Sequence, residues 1–530
     1  MSETPKPAPW WLRHLLALPP ALVALWVAWL VVGLALQRLD FPFDIEWMEG
    51  GMLVHALRIE QGQPLYAAPS PDWVPYIYPP FYPWLISALG EPSYLLGRSI
   101  SLVGTLAAAA AGIFALWREG RSPLWGLAAA GLYLSCYDES GTFYELVRTD
   151  ALAMGLLTWS LVLCRTESRG GVVAGGLLLV LAFLTKHNFA LFGVGIVGWL
   201  FWRDRKLALL FAAASVIPAL VLTGAIQIAS DGNYLTYLLG VPGSHPLNAE
   251  RAFPLSEKEM LAALILSNLA ALGILAVYAV RKRWSAGGVY WGVMTGIALV
   301  ACVLMRAHHG GFINVLMPGH WVMAIGGTML VASVAERSWA WGIPLSLILG
   351  LQGIEGRYKY DWKHGPKDGS LKERICLLDA NVPTSRCFQD RWDPGRLIPD
   401  EDDLAAGNAL IAQLSEIQGS VFAPQFPWYP YLAGKEPSFP LIALWDIQHK
   451  RGPLYQEPSV MTEGFQAHRW DAVLCADKPL KYGFQEDYLK AEKISWPQGV
   501  RGTAMRTRTG WRVKPAWIWR PKDTAFGQGE

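Results

Sequence analysis

Long apolar runs alternate with short polar segments through the first 355 residues of the chain. A helix that crosses the hydrocarbon core of a bilayer needs about 20 mostly apolar residues. The first run is too long for the core of a signal peptide, and no small-x-small cleavage site follows it, so it predicts an anchor that stays in the chain. The pattern predicts eleven membrane-spanning helices, at residues 14–36, 93–116, 122–137, 147–164, 170–185, 188–202, 207–229, 260–280, 286–305, 312–334 and 338–354.

The composition agrees with a membrane protein. Hydrophobic residues make up 52% of the 530 residues, charged residues make up 17%, and the mean hydropathy is +0.25. Soluble proteins carry about 25% charged residues, so the composition excludes a soluble enzyme and a disordered chain. The net charge of +2 provides no basic surface for nucleic acid, and we expect no nucleic-acid partner.

The distribution of Lys and Arg predicts the orientation of the chain. With the N-terminus in the cytoplasm, the inner loops before residue 355 hold thirteen Lys and Arg residues, whereas the outer loops and helix ends hold seven. Cytoplasmic loops are those that carry the excess of positive charge. An odd number of spans then places everything after residue 355 outside. We expect an integral protein of the bacterial inner (cytoplasmic) membrane, in contact with membrane lipids.

Two regions outside the spans predict further structure. Residues 37–82 form a first outer loop rich in acidic and aromatic residues, and its segment 52–57 predicts a short interfacial helix. Residues 356–530 lack long apolar runs and contain strand-like segments at 420–423 and 470–474. We therefore predict a polytopic α-helical membrane module, residues 1–355, and an extracytoplasmic α/β domain, residues 356–530, of normal domain size.

Charged and polar residues collect at the outer ends of the predicted spans. A charge placed in the bilayer costs about 2.5–3.5 kcal/mol on insertion scales, so such residues are candidates for function. They share one membrane face beneath an aromatic loop, which suits a site where an anionic, lipid-borne substrate meets a polar one. The candidates are Asp44, Glu46, Glu49, Tyr78, Arg98, Tyr144, Arg148, Asp150, Lys186, His187, Arg306, His308 and His309.

The order of several short motifs resembles that of polytopic glycosyltransferases of the C-type fold (GT-C). This group includes protein O-mannosyltransferases and the aminoarabinose transferases of lipid A. Each motif is short and degenerate, and it is their order along the chain that carries the resemblance. The motifs are Asp44-Ile45-Glu46, a Gly-x-x-Leu-Tyr turn at 62–66, an aromatic Pro-Pro segment at 78–84, Gly97-Arg98-Ser99, Arg148-Thr149-Asp150, Leu184-Thr185-Lys186-His187 and a glycine-and-asparagine segment at 309–314.

The resemblance implies an enzyme that transfers a hexose or pentose from a polyprenyl-phosphate carrier to an acceptor hydroxyl, with inversion at the anomeric carbon. The acceptor is a lipid, a polysaccharide or a protein. Asp44 is the implied general base, with Glu46 beside it, because a carboxylate can take the proton of an attacking hydroxyl. The implied contacts to the donor phosphate are Arg98, Arg148, Lys186 and Arg306. The implied substrate contacts are Glu49, Tyr78, Tyr144, Asp150, His187, His309 and Asn314.

Other interpretations of the same residues are open. A transporter or flippase for a lipid-linked sugar would share the spans and the polar face, and a receptor or assembly module would use the C-terminal region. Arg148 and Asp150 could simply pair with each other at a helix end. The histidines lack the spacing of a metal site, so we assign no metal and no cofactor, and a divalent ion is an alternative that the spacing does not support. Cys376 and Cys387 predict a local disulfide in an oxidising compartment.

Overall fold

The computed structural model describes residues 9–255, 257–281, 285–360, 388–477, 480, 482–497 and 504–522. Each of the eleven predicted stretches contains a helix, and two shorter helices lie between the first and the second of these. The predicted disulfide of Cys376 and Cys387 lies outside the described residues. The helices are α1 Trp10–Leu39, α2 Glu49–Glu60, α3 Phe81–Leu89, α4 Tyr94–Arg118, α5 Pro123–Ser135, α6 Thr149–Arg165, α7 Arg169–Thr185, α8 Leu191–Arg203, α9 Arg205–Ala229, α10 Ile265–Arg281, α11 Ala286–Ala307, α12 Met317–Ala335 and α13 Trp339–Arg357.

Several of these helices have the length and composition of membrane spans. Their outer surfaces carry exposed large apolar side chains, which a lipid environment accommodates and water does not. The chain is therefore an integral membrane protein with a mostly helical fold. Among the described residues, six segments are long and apolar enough to cross a membrane: Trp11–Leu39, Tyr94–Arg118, Arg205–Ala229, Glu259–Val280, Ala286–Ala307 and Ile313–Ala335.

Helices α4 and α6 pack with their backbones in contact. A Cβ on Gly104 would lie 2.5 Å from the carbonyl oxygen of Ala151, so a glycine is required at this position. One residue further along α4, the Thr105 hydroxyl donates to the carbonyl oxygen of Tyr144, in the segment before α6, at 2.7 Å. This contact holds the N-terminal half of α4, which carries Arg98, against the segment that leads to Arg148 and α6.

Serine side chains begin several helices at the positions where the sequence changes from polar to apolar. Each serine hydroxyl accepts a hydrogen bond from a backbone N–H of the first turn, which would otherwise have no partner in the helix. Helix α6 is different, because Arg148 precedes it in an extended conformation and its side chain makes no cap. The capping serines are Ser93, Ser122, Ser168 and Ser285, for α4, α5, α7 and α11.

The first outer loop and the C-terminal residues share one hydrophobic core. Met52 and Leu53 of α2 are almost fully buried, and the same cluster contains Trp428 and Ile518. The segment 52–57 is therefore helical, but C-terminal residues cover it. A second core lies within the helical bundle. The predicted division of the chain at residue 355 stays a prediction.

The C-terminal residues form a small mixed sheet with helices. Strands β1 Tyr358–Tyr360 and β2 Phe388–Asp390 pair antiparallel at the end of α13. The larger sheet has the order β3-β4-β6-β5, in which β3 and β4 are parallel and the other pairs are antiparallel. The two predicted strand-like segments are this parallel pair. The other strands are β3 Val421–Phe422, β4 Ala472–Cys475, β5 Tyr488–Lys493 and β6 Trp517–Pro521, and the described helices of seven or more residues in this region are α14 Glu401–Glu416, α15 Leu441–Ile447 and α16 Val460–Gln466.

Candidate active site

A buried ion pair fastens the acidic loop after α1 to helix α4. The two carboxylate oxygens of Glu49 accept hydrogen bonds from Nε and Nη2 of Arg98, at 2.9 and 2.8 Å. Glu49 also accepts from the backbone N–H groups of Ile45, Glu46 and Val147. Burial alone would raise the pKa of Glu49, but Arg98 and these donors outweigh burial and hold the pKa below its ordinary value.

Arg98 has no N–H group left for a substrate phosphate. Its Nη1 donates to the carbonyl oxygens of Arg38 and Phe41, at 2.9 and 2.6 Å, and its Nη2 also donates to that of Phe43, at 2.7 Å. A guanidinium has five N–H groups, and each one here has a protein partner. These contacts support a structural role for Arg98 and Glu49, which is to fix the loop, and their predicted contacts to phosphate and substrate stay predictions.

Asp44 is held by a different set of partners. Its Oδ1 accepts from the backbone N–H of Gly50 and from the Tyr94 hydroxyl, both at 2.9 Å. Its Oδ2 is buried and accepts no hydrogen bond from the described residues. Burial raises the pKa of Asp44 to about 8, and the nearby Glu49 carboxylate adds to this effect. Asp44 is therefore mainly protonated at neutral pH.

Glu46 forms the second ion pair of the loop, with Arg148 at the beginning of α6. Oε2 of Glu46 accepts from Nη1 of Arg148 at 3.0 Å, and Nη2 of Arg148 donates to the Tyr78 hydroxyl at 3.2 Å. Within the described part of the chain, Oε1 of Glu46 accepts no hydrogen bond and Nε of Arg148 has no partner. Burial raises the pKa of Glu46 to about 7, although Arg148 acts in the opposite direction. The pair thus keeps one acceptor and one donor for a ligand.

A second polar cluster begins two residues further along the chain, at Asp150. Its Oδ1 accepts from Nζ of Lys186 and, at 2.8 Å, from Nδ2 of Asn314. Asp150 therefore pairs with Lys186, not with Arg148. Oδ2 of Asp150, Oδ1 of Asn314 and Oγ1 of Thr149 are buried without partners among the described residues. Buried polar atoms normally have partners, so a polar ligand is the expected complement of this cluster.

Tyr144, a predicted substrate contact, and Arg306, a predicted phosphate contact, both have partners within the protein. Tyr144 is fully buried and donates to the carbonyl oxygen of Tyr133 at 2.6 Å. Arg306 donates to both carboxylate oxygens of Glu259, at 2.7 and 3.0 Å, and to the carbonyl oxygen of Gly311 at 2.6 Å. These contacts support a structural role for both residues, and their predicted ligand contacts stay predictions.

The histidines lie in two places. His187 directly follows Lys186, and its Nδ1 is buried without a partner in the described structure, so it stays a candidate for substrate contact. His309 is exposed, and its ring lies 5.2 Å from that of His449 and 6.3 Å from that of His245. His309 therefore belongs to a histidine cluster outside the two polar clusters. Among the described residues, no group of three or more His, Cys, Asp or Glu side chains is arranged to hold a metal ion.

The sequence analysis missed the C-terminal loop that covers Glu46. In this loop, residues 507–511, the backbone N–H groups of Arg508 and Thr509 donate to the carbonyl oxygen of Ile45 at 2.9 and 3.3 Å. A Cβ on Gly510 would lie 2.9 Å from Oε1 of Glu46, so this glycine leaves the oxygen free. In the sequence, the loop is indicated only by Gly510 in a polar segment. Nothing in the sequence links this loop to Ile45 and Glu46, which lie about 460 positions earlier.

Asp446 of α15 is a second residue that the sequence analysis missed. Its carboxylate acts electrostatically on the Tyr78 hydroxyl, which in turn contacts Arg148. Burial raises the pKa of Asp446 to about 8. The C-terminal residues therefore contribute a carboxyl group near the candidate site, in addition to the loop.

Gly510→Ala is expected to lower catalytic turnover by at least about tenfold. The new Cβ meets Oε1 of Glu46, and the φ of +69° adds backbone strain of about 1–3 kcal/mol for a residue other than glycine. Gly62→Ala is the matched control, because Gly62 has a φ of +68° and open space around it. Both variants are measured for thermal unfolding and for sugar transfer. The comparison separates the effect of backbone strain from the effect of blocking Oε1 of Glu46. Equal activity of the two variants would argue against a working role for Oε1.

The fold of this chain is similar to that of membrane proteins whose structures have been solved. The chain is similar to ArnT of Cupriavidus metallidurans in the apo state, with a TM-score of 0.52, 12% identity and coverage of 85% of this chain and 93% of that chain. For ArnT bound to undecaprenyl phosphate, the TM-score is 0.54, the identity is 13% and the coverages are 93% and 97%. No protein-family model and no curated protein matches the sequence.

A third similar structure comes from an archaeon. It is the oligosaccharyltransferase AglB of Archaeoglobus fulgidus in complex with an inhibitory peptide and a dolichol-phosphate, with a TM-score of 0.50 and 10% identity over 86% of this chain and 69% of that chain. ArnT and AglB are membrane glycosyltransferases of the GT-C fold. The chain therefore has the predicted GT-C fold, whereas the count of eleven spans and the extracytoplasmic C-terminal domain stay predictions.

Proposed function

We propose that the protein transfers a sugar from a polyprenyl-phosphate carrier to an acceptor hydroxyl, with inversion at the anomeric carbon. The contact between Glu46 and Arg148 carries this proposal, because it holds a carboxylate and a cation together at 3.0 Å and leaves an atom of each for a ligand. The similarity in fold to ArnT, which has been solved with undecaprenyl phosphate, supports a lipid-phosphate donor.

In the proposed reaction, the acceptor oxygen attacks the anomeric carbon while the bond from that carbon to the phosphate oxygen breaks. Oε1 of Glu46 takes the hydroxyl proton during the attack. The polyprenyl phosphate leaves as an anion and needs charge stabilisation, which Lys186 and Arg148 provide. The products are the glycosylated acceptor and the free polyprenyl phosphate.

The geometry favours Glu46 over Asp44 as the general base. A general base works best when its pKa lies near the working pH, and burial raises the pKa of Glu46 to about 7. Glu46 lies against the Arg148 guanidinium, whereas Asp44 forms no ion pair among the described residues. We assign Asp44 a positioning role in the loop, through Tyr94 and Gly50. The sequence-based choice of Asp44 stays the competing assignment.

The second cluster supplies contacts for the donor sugar. Oδ2 of Asp150 and Oδ1 of Asn314 are buried acceptors without partners among the described residues, and sugar hydroxyls are suitable donors for both. Tyr78 and His187 complete the set of substrate contacts. Arg148 and Asp150 are two residues apart at the beginning of α6, which supports a position for the sugar between the proposed base and Lys186.

We further propose eleven membrane crossings, with the N-terminus in the cytoplasm and the C-terminal domain on the outer face of a bacterial inner membrane. The acceptor is a lipid, polysaccharide or protein on that face. The Lys and Arg distribution supports this orientation. The side of the membrane is tested by labelling single cysteines introduced at exposed positions in the C-terminal region of intact cells.

Arg148→Gln is expected to weaken the binding of undecaprenyl phosphate by roughly 10–100-fold, the value of one lost charge-assisted hydrogen bond. Arg148→Lys keeps the charge but loses the planar fork, and we expect an intermediate effect. Binding is measured with the protein in lipid nanodiscs. Arg203→Gln is the control, because Arg203 is 42% exposed and pairs with Glu167, away from this site. Unchanged binding by Arg148→Gln would remove Arg148 from the donor site.

The proposed function is tested by sugar release from a panel of polyprenyl-phosphate sugars in nanodiscs, with native membrane extract added as a source of acceptor. Release by the wild type, together with transfer of the sugar to a component of the extract, supports the enzyme. Movement of the intact lipid-linked sugar across the bilayer without release would indicate a flippase instead.

A further inference from the structure

Three tryptophans from distant parts of the chain meet beside the candidate base. The ring of Trp47 lies 4.9 Å from that of Trp511 and 5.9 Å from that of Trp445, and the last two rings are 5.4 Å apart. They come from the acidic loop, the C-terminal loop and α15. We call Trp47, Trp445 and Trp511 the tryptophan cluster.

The cluster presents an aromatic surface outside the membrane-spanning helices. The side chain of Trp511 is 40% exposed, and in the described residues after 388 the only other large apolar side chains so exposed are Leu404 and Leu432. Tryptophan is enriched at binding surfaces because its large ring offers an apolar face together with an N–H donor. A cluster of three tryptophans with one exposed ring is therefore a candidate binding surface.

The loop that carries Trp511 is held in one conformation. The Thr507 hydroxyl donates to the carbonyl oxygen of Trp511 at 2.9 Å and accepts from the backbone N–H of Val513 at 3.0 Å. Thr509 is tied to Ile45 and to the carbonyl oxygen of Gly141. The ring is therefore preorganised, which lowers the entropy lost when a ligand packs against it.

Each tryptophan is next in sequence to a residue that belongs to the candidate site or lies close to it. Trp47 follows Glu46, Trp445 precedes Asp446, and Trp511 follows Gly510. The Asp446 carboxylate accepts no hydrogen bond from the described residues, although its field reaches Tyr78. Gly510, beside Trp511, approaches Oε1 of Glu46, so the tryptophan cluster lies close to a carboxylate with a free acceptor atom, and Asp446 supplies a second carboxyl group near Tyr78.

We propose that the tryptophan cluster and Asp446 bind a saccharide portion of the acceptor. A sugar ring has an apolar C–H face that packs on an aromatic ring and an edge of hydroxyls that hydrogen-bond to carboxyl groups, and the tryptophan cluster and Asp446 supply both kinds of contact. This inference rests on the proposed function, and it narrows the acceptor to a glycan or a glycan-bearing molecule.

The test measures ligand binding to the full-length protein in nanodiscs by saturation-transfer difference NMR. The probes are chitotetraose, mannotriose and maltotetraose, with a Ser- and Thr-rich peptide as the competing class. We expect at least one oligosaccharide to bind, and Trp511→Ala and Asp446→Asn each to weaken its binding by at least about tenfold. Trp84→Ala is the matched control, because Trp84 is 51% exposed outside the cluster, and it should bind as the wild type does.

The outcomes separate this inference from the proposed function. Saccharide binding that Trp511→Ala and Asp446→Asn leave unchanged would overturn the inference. Binding of the peptide alone, or of no probe, by a preparation that still binds undecaprenyl phosphate would also overturn it, while the lipid-phosphate donor would stand. A wild-type protein that binds a saccharide but does not bind undecaprenyl phosphate would instead contradict the proposed function. Thermal unfolding of each variant checks that a loss of binding is not a loss of fold.

Discussion

Glu46→Gln is expected to lower sugar transfer by roughly 10²–10⁴-fold, the usual contribution of a positioned general base. Glutamine has almost the same shape and its carbonyl oxygen can still accept from Arg148, so the fold and donor binding should be retained. It cannot take the proton of the acceptor hydroxyl. We compare Glu46→Gln with the wild type in two measurements: the initial rate of sugar transfer from a donor of the release panel, and the binding of undecaprenyl phosphate.

The pH profile of the wild type checks the same assignment. Burial raises the pKa of Glu46 to about 7, so the carboxylate is protonated and inactive as a base below that pH. Activity should therefore increase as the pH rises through about 7, and Glu46→Gln should lose this dependence along with its activity. The profile is measured on kcat/KM, which reports the free enzyme.

Asp44→Asn is the control for the choice of base. Its Oδ1 accepts two hydrogen bonds that an asparagine oxygen can also accept, so we expect a smaller loss of activity than for Glu46→Gln. If Asp44→Asn abolishes transfer while Glu46→Gln keeps it, the assignment from the sequence is right and the one from the geometry is wrong.

Arg98→Leu is expected to destabilise the protein by about 3–5 kcal/mol, because it leaves the buried Glu49 carboxylate without its counter-charge. Arg98 and Glu49 are both fully buried, and Arg98 also holds three backbone carbonyl groups of the loop. Arg98→Lys keeps the charge but cannot reach all five acceptor positions, so it should also destabilise, by less. Thermal unfolding in nanodiscs and the yield of folded protein measure the effect.

Arg469→Gln provides the comparison with an exposed ion pair. Arg469 and Asp72 pair with side chains that are 46% and 63% exposed, and such pairs contribute about 0–1 kcal/mol. The contrast between the two arginines tests whether burial and full hydrogen bonding determine the effect. An Arg98→Leu protein as stable as Arg469→Gln, with unchanged donor binding, would contradict the structural role of Arg98. A stable Arg98→Leu protein that no longer binds undecaprenyl phosphate would restore its predicted phosphate contact.

The positions of the helices could be predicted because the signal is local. A run of apolar residues needs no tertiary information to indicate a helix, and each of the eleven predicted stretches contains a helix in the structure. The predicted and observed helix boundaries differ where a polar 3₁₀ turn comes first: His187–Ala190 precedes α8, and Ile313–Leu316 precedes α12. The parallel pair of β3 and β4 was likewise visible as two apolar segments in a polar region.

The candidate site could be predicted only in part. Glu46, Arg148, Asp150, Lys186 and Asn314 lie in two polar clusters with unpartnered atoms. The sequence does not distinguish these residues from Arg98, Glu49, Tyr144 and Arg306, which have the same chemical types and equally suggestive positions. A charge at the end of a span predicts that a partner exists, but it does not say whether that partner is protein or substrate.

By itself, the sequence determined that this is a membrane protein, where its helices lie and which polar residues are available for chemistry, because hydropathy and local spacing depend on neighbours along the chain. Only the tertiary structure decided which of those residues are free. Arg98 is saturated by carbonyl groups about 55–60 positions away, and Glu46 is covered by a loop about 460 positions away. A hydrogen-bond donor has a fixed number of protons, and the folded chain decides how many remain for a ligand.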